Sequence, residues 1–111
     1  MKIQNTLISI LIINFNNAKL ITRAISSCLN QSYKNFEILI FDDGSTDNSR
    51  KIIKKFKNNK KIKVFFNKKN KKKFAALNAM NGYITIFKKS KGTIICLLDS
   101  DDFFHKSKIK K

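Results

Sequence analysis

Apolar residues along the chain fall into runs of two kinds. Leu7 to Ile13, Ile38 to Phe41 and Thr93 to Leu98 are short, nearly continuous stretches, with the length and residue types of strands buried on both faces. Ile62 to Phe66 is a weaker run of the same kind, set between lysine-rich turns. Between these runs the apolar residues recur at three- and four-residue spacing, the mark of a helix with one apolar side. Leu20, Ile21, Ala24, Ile25, Cys28 and Leu29 predict a helix over 18–30, and Ile52, Ile53 and Phe56 one over about 47–57. Phe74, Leu77, Met80, Ile84 and Phe87 lie along one side of a third, over 74–89. Gly82 inside it costs about 1 kcal/mol relative to Ala and marks a place to kink or break.

The predicted order is strand, helix, strand, helix, strand, helix, strand. Such alternation argues an α/β fold, a mostly parallel sheet with helices on both faces. Right-handed crossovers leave few topologies. In the common order 3-2-1-4, the second and fourth strands flank the first, and ligands bind beyond the carboxyl ends of the strands. The residues at those ends are therefore the ones to read for chemistry.

Strand one runs into the polar turn Asn14-Phe15-Asn16-Asn17, where either of the last two residues can cap a helix. Strand two stops at Asp42 and Asp43. Gly44 then supplies a turn other residues avoid, and Ser45, Thr46 and Asp47 offer cap oxygens to the next helix. Strand four ends in Asp99-Ser100-Asp101-Asp102.

Charge sharpens this picture. The chain has 111 residues, 24 Lys and Arg against seven acids, and a formal net charge of +17. Six of the seven acids sit in the two strand-end clusters, with only Glu37 elsewhere. Acids so scarce and so placed are reserved for a site. Crowded carboxylates either protonate or hold a cation, and an Asp-x-Asp turn suits Mg²⁺ or Mn²⁺ bound together with substrate phosphates. An aspartate at a strand end can also accept from a base N–H or a ribose hydroxyl, and Phe15 can lie against a flat ring. Taken singly, each cluster also suits a capped turn and Phe15 suits ordinary packing. His105 follows the second cluster and is either a metal ligand or a surface residue.

Other classes are disfavoured. No G-x-G-x-x-G or P-loop sequence follows strand one, and no Cys/His cluster suits zinc. Cys28 and Cys96 lie singly in apolar runs and read as buried thiols of a reduced, cytoplasmic protein. Leu7 to Ile13 is too short to span a bilayer and has no signal-peptide cleavage pattern. The basic surface offers peripheral contact with an anionic membrane.

The run from Leu7 through Asp42-Asp43-Gly44-Ser45-Thr46-Asp47-Asn48-Ser49, closed by Leu97-Leu98-Asp99-Ser100-Asp101-Asp102, resembles the nucleotide-sugar domain of family 2 glycosyltransferases, inverting enzymes of the Rossmann-like GT-A fold. The resemblance implies that Asn14, Phe15 and Asp42 contact the base, with Asp43 supporting that pocket. It implies further that Asp99 meets the ribose, that Asp101 coordinates Mn²⁺ or Mg²⁺ on the donor diphosphate, and that Asp102 assists. The implied activity is metal-assisted transfer, with inversion, from a UDP-sugar or related donor to a glycan or lipid-linked acceptor.

Three departures from the family pattern stand out. Ile13 replaces a frequent proline. The loop after strand three carries Asn70 and Lys71 to Lys73 where glycine is common; it is expected to be mobile, and its lysines are candidates to touch diphosphate. The chain also stops at Lys111, just past the metal motif. The expectation is therefore a donor-binding half over 1–111, without the acceptor half that would carry the general base. Two other classes remain on the table. A basic nucleic-acid-binding module would use the lysines but lacks a recognisable motif. A phospho-accepting signalling domain would need its acidic pair after strand one, where Asn14-Phe15-Asn16 stands.

Overall fold

The structure is a computed structural model that describes residues 5–68, 75–105 and 108–109, with the backbone alone for 75–77. Its elements are β1 (Ile8–Asn14), α1 (Ala18–Leu29), β2 (Phe36–Asp43), α2 (Ser49–Phe56), β3 (Ile62–Asn67), α3 (Ala75–Phe87) and β4 (Ile94–Asp99). All four strands are parallel, in the order β3-β2-β1-β4. This is the α/β architecture and strand order that the alternating pattern predicts. Lys71 to Lys73, Phe74 and the Leu77 side chain lie outside the described residues.

Side chains alternate between the two faces of a strand, and here the alternation divides the core in two. Ile8, Ile10 and Ile12 of β1 and Ile38 and Ile40 of β2 point to the face covered by α1 and α2, where Ile21, Ala24, Ile25, Cys28 and Ile53 meet them. Leu11, Ile13 and Leu39 point to the other face and meet Ile86 of α3. Burying side chains of this size contributes roughly 1.5–3 kcal/mol each, so the central strands hold the fold. Phe104 and Ile109 join the α1/α2 layer after β4, and the buried Gln31 fixes that return by donating to the His105 carbonyl and accepting from the Ile109 N–H. Cys28 is fully buried, which pushes its thiol up to about 12, while Cys96 is only half-buried.

Helix α3 departs from the expectation twice. Its helix is unbroken through Gly82. A Cβ at that position would lie 2.9 Å from both Ile13 Cδ1 and Phe41 Cδ2, so the missing side chain is what lets the helix settle on β1 and β2. The apolar side of a helix ordinarily faces the core, yet Met80, Ile84 and Phe87 are 58%, 47% and 55% exposed. At 100° per residue, Gly82 and Ile86 face the sheet and those three lie opposite them. The large residues drew the eye in the sequence; the contact is made by the smallest one.

Glu37, the acid outside the clusters, works at the far end of the sheet. On the α3 face its carboxylate accepts from Ser9 Oγ at 2.6 Å, from the Lys91 N–H at 2.6 Å and from Lys63 Nζ at 3.2 Å. It ties β1, β3 and the entry to β4 around β2. Burial alone would raise its pKa; the three donors overcome that and hold it below the usual carboxylate range.

Candidate functional site

Register places the site. Asn14 pairs with Asp42, Ile13 with Asp99, and Asp43 with Asn67. The two acidic clusters and the Asn14–Asn17 turn therefore stand side by side at the carboxyl edge of the sheet, with β1 between them.

Period-two alternation separates the neighbours Asp42 and Asp43. Asp42 shares the α1/α2 face with Asn14, and both are fully buried. Its carboxylate accepts from Asn14 Nδ2 at 2.8 Å, from the Ser45 N–H at 2.9 Å and from Ser45 Oγ at 2.6 Å. Gly44, at φ 73°, makes the reversal that lets Ser45 fold back. Asn14 and Asp42, which the family resemblance offers as base contacts, bond to each other and to Ser45 in closing the turn. Both are fully buried, and among the described residues Asn14 Oδ1 has no partner.

Asp43 points to the α3 face. It accepts from Asn67 Nδ2 at 3.0 Å and lines a cleft of about 270 Å³ with Phe41, Asn67, Asn78, Asn81 and Gly82. That volume is just under the ~300 Å³ floor for small-molecule pockets. It suits a flat ring and is too small for a whole nucleotide sugar.

Three turns are then stapled together by side chains that the sequence reading passed over or used as caps. Asn16, in the left-handed region at φ 52°, accepts from the Thr46 N–H at 2.8 Å through its Oδ1, and its own N–H donates to Ser45 Oγ. Asn17 begins α1 without a side-chain cap bond and donates instead to Ser100 Oγ at 2.9 Å. Asp47 accepts from the N–H of Ala18 at 3.0 Å and of Ser49 at 2.9 Å, serving the starts of α1 and α2 at once. Helix α2 consequently begins at Ser49, two residues later than expected. The only warning in the sequence was the density of Asn and Ser around each turn.

The β4 end is open. Asp99, Asp101 and Asp102 are all exposed, while Ser100 between them is buried. Arg23 of α1 donates to the Asp101 carbonyl at 2.9 Å and lies 4.6 Å over the Phe103 ring, fixing the turn from behind. Asp99 Oδ1 accepts from the Tyr83 hydroxyl of α3 at 2.9 Å, which leaves Oδ2 for a ligand. Burial and that acceptor push the Tyr83 phenol well above its ordinary pKa. Phe15, 42% exposed, stands on the turn after β1. His105 is exposed, and its ring meets Phe103 edge-on at 6.0 Å.

Among the described residues no three His, Cys, Asp or Glu side chains converge on one point. The donor set nevertheless fits Mg²⁺ or Mn²⁺. Both take hard oxygen ligands, and Mg²⁺ in particular binds through one or two carboxylates and completes its shell with water and substrate phosphates. Among the described residues the Asp101 carboxylate accepts no hydrogen bond, and it faces solvent. Nor is any helix long and apolar enough to cross a membrane, among the residues described.

Known proteins share this arrangement. The model of glycosyl transferase family 2 matches residues 9–111. A glycosyltransferase of Haemophilus influenzae, itself uncharacterised, is 41% identical over 106 residues, covering 95% of this chain and 40% of its own. The Escherichia coli UDP-Glc:α-D-GlcNAc-diphosphoundecaprenol β-1,3-glucosyltransferase WfaP is 40% identical over 103 residues, covering 93% and 38%. The chain thus spans two fifths or less of the length of these relatives. Residues 1–349 of Staphylococcus aureus TarS in complex with UDP-GlcNAc superpose with a TM-score of 0.73 at 27% identity, over 89% of this chain and 28% of that one. The Pyrobaculum calidifontis mannosyltransferase PcManGT, in complex with GDP-Man and Mn²⁺, shares the fold at a TM-score of 0.74 and 17% identity, over 87% and 28%. Parallel strands in the order 3-2-1-4, acids gathered at their carboxyl ends and a family match over nearly the whole length lead to one assignment: the chain belongs to the family 2 glycosyltransferases.

Proposed function

We propose that residues 1–111 form the nucleotide-sugar-binding part of an inverting, metal-assisted glycosyltransferase whose donor is a UDP-sugar. The observation that carries this reading is that the strand ends bearing Asp42-Asp43 and Asp99 flank the end of β1, with Asp101 on the turn just after, in a chain with so few acids. The names of the E. coli relative and of the TarS complex support the UDP-sugar and a lipid-linked acceptor.

In this reading the cleft beside β2 takes the base. Asp43 accepts from a base N–H, Asn67 orients that carboxylate, and the exposed Phe15 ring covers the base or ribose. Asp99, held through one oxygen by Tyr83, offers the other to a ribose hydroxyl. Asp101 would hold Mn²⁺ or Mg²⁺, and Asp102 lies beside it. When bound, that cation neutralises the charge that develops on the leaving diphosphate. Arg23 and Asn17 keep the turn in place so that Asp101 is presented without a large reordering cost. Inversion requires a general base at the acceptor oxygen, and we assign none within residues 1–111. In this reading the protein works in the cytoplasm, peripheral to the cytoplasmic face of the membrane.

Thermal unfolding tests the reading. UDP should raise Tm in the presence of Mn²⁺ and much less in its absence, and Asp101→Ala should remove the difference. Equal stabilisation with and without Mn²⁺ would refute the metal-assisted mode, and no stabilisation in either case would refute donor binding.

A further inference from the structure

Helix α3 reaches the site along both of its flanks. Gly82 and Ile86 face the sheet, and a turn of about 100° per residue sends Asn81 to one side of Gly82 and Tyr83 to the other. Asn78, Asn81 and Gly82 line the cleft beside Asp43. Tyr83 crosses instead toward β4, where its hydroxyl donates to Asp99 Oδ1 at 2.9 Å. One helix thus borders the base cleft on β2 and grips an acid on β4, with β1 between the two strands.

That grip sets Asp99 apart from its neighbours. Asp102 Oδ1 accepts from the N–H of the next residue, Phe103. Among the described residues Asp99 is the one of the three acids after β4 begins to turn whose carboxylate is held by a side chain of another element. Its backbone is fixed as well, since Asp99 pairs with Ile13 and the following Ser100 N–H donates to the Ile13 carbonyl. The donor is equally constrained. Gly82 seats the helix against Ile13 and Phe41, and the Tyr83 ring packs on the core formed by Leu11, Ile13, Leu39 and Ile86. A solvent-exposed aspartate ordinarily samples several rotamers. With Oδ1 taken by a phenol on a packed ring, Oδ2 is presented in one direction. A ribose offers two adjacent hydroxyls as donors to such an oxygen. A site built to bond a hydroxyl rejects the analogue that lacks it, and fixing the acceptor beforehand is what turns the bond into affinity.

We infer that Tyr83 is a positioning residue for ribose selectivity: by holding Asp99 through Oδ1 it aims Oδ2 at a ribose hydroxyl, so that ribonucleotides are preferred to their deoxy counterparts. The inference rests on donor binding at this site, and it adds the residue that sets the preference for the nucleotide's own sugar.

Calorimetric titration with UDP, 2′-deoxy-UDP and 3′-deoxy-UDP, each with Mn²⁺, is the test. Wild type should bind UDP roughly tenfold tighter than at least one of the deoxy analogues, the worth of one hydrogen bond to a charged group. Tyr83→Phe keeps the packed ring, and should shrink that ratio to about twofold or less while leaving the affinity for the weaker analogue as it was. Asp99→Ala should erase the same ratio, and adding Tyr83→Phe to it should change nothing further. A hydroxyl that merely steadied the fold would weaken all three ligands alike and would add to the effect of Asp99→Ala; either result would overturn the inference. So would a ratio left intact in Tyr83→Phe, no preference for UDP in wild type, or a Tyr83→Phe protein that fails to fold. In the first two of these UDP still binds, and the donor reading stands. Folded wild type that binds no UDP would remove the donor reading and the inference with it.

Discussion

Two adjacent aspartates, one turn and opposite consequences: Asp42→Asn and Asp43→Asn separate the structural acid from the one that faces the cleft. Asp42 is fully buried and accepts three hydrogen bonds, from Asn14 Nδ2, the Ser45 N–H and Ser45 Oγ. Asparagine has nearly the same shape, but its NH₂ must face one of those donors. At least one buried donor then loses its partner, at about 1–3 kcal/mol, and the remaining bonds lose their charge assistance, worth about 1 kcal/mol more. Asn14 keeps only Ser45 Oγ at 3.3 Å. The expected loss is about 3 kcal/mol, a large share of the ~5–15 kcal/mol that holds a domain of this size, with a fall in Tm on the order of 10 °C. Asp43→Asn retains an oxygen for Asn67 Nδ2 and should cost about 1 kcal/mol or less. Urea unfolding followed by circular dichroism, with the slope m checked for constancy, measures both. Equal losses for the two variants, or a larger loss for Asp43→Asn, would refute the division of labour.

Other substitutions probe the frame around the site. Gly82→Val puts a branched side chain where even a Cβ would lie 2.9 Å from Ile13 and Phe41; it should cost about 2 kcal/mol or more by overpacking and loosen the cleft, whereas helix propensity alone would predict stabilisation. Glu37→Gln should destabilise by about 1–3 kcal/mol at pH 7. Because the folded pKa of Glu37 lies below its unfolded value, its contribution is complete above the unfolded pKa and is lost as pH falls through the folded one. The gap between wild type and Glu37→Gln should therefore begin to close as pH falls through the unfolded carboxylate range and go on closing through the lower folded pKa; a gap that stays constant down to about pH 2 would contradict the role given to the carboxylate.

Much of this was legible in the chain because strand-end acids and apolar runs are one-dimensional signals. The runs gave four strands, their alternation with helices gave a parallel sheet, and a parallel sheet puts Asp42/Asp43 and Asp99/Asp101 at one edge whatever the details. The distinction between Asp42 and Asp43 was also latent, since neighbours on a strand face opposite ways, but deciding which one faces the cleft needs the position of α3. That position turned on Gly82, whose value lies in the atoms it lacks. Asn16, Asn17, Ser45 and Ser100 were invisible for another reason. Their partners in the other turns are 29 to 83 residues away, and only the folded sheet brings the three turns within hydrogen-bond reach.

Calorimetric titration of UDP in the presence of Mn²⁺ bears most directly on the central claim, that scarce carboxylates are gathered at neighbouring strand ends to hold one nucleotide. Saturable one-to-one binding should appear, weakened roughly tenfold or more by Asp43→Asn and by Asp101→Asn separately, in proteins that remain folded. The absence of UDP binding by the folded wild type, or binding indifferent to both substitutions, would contradict it.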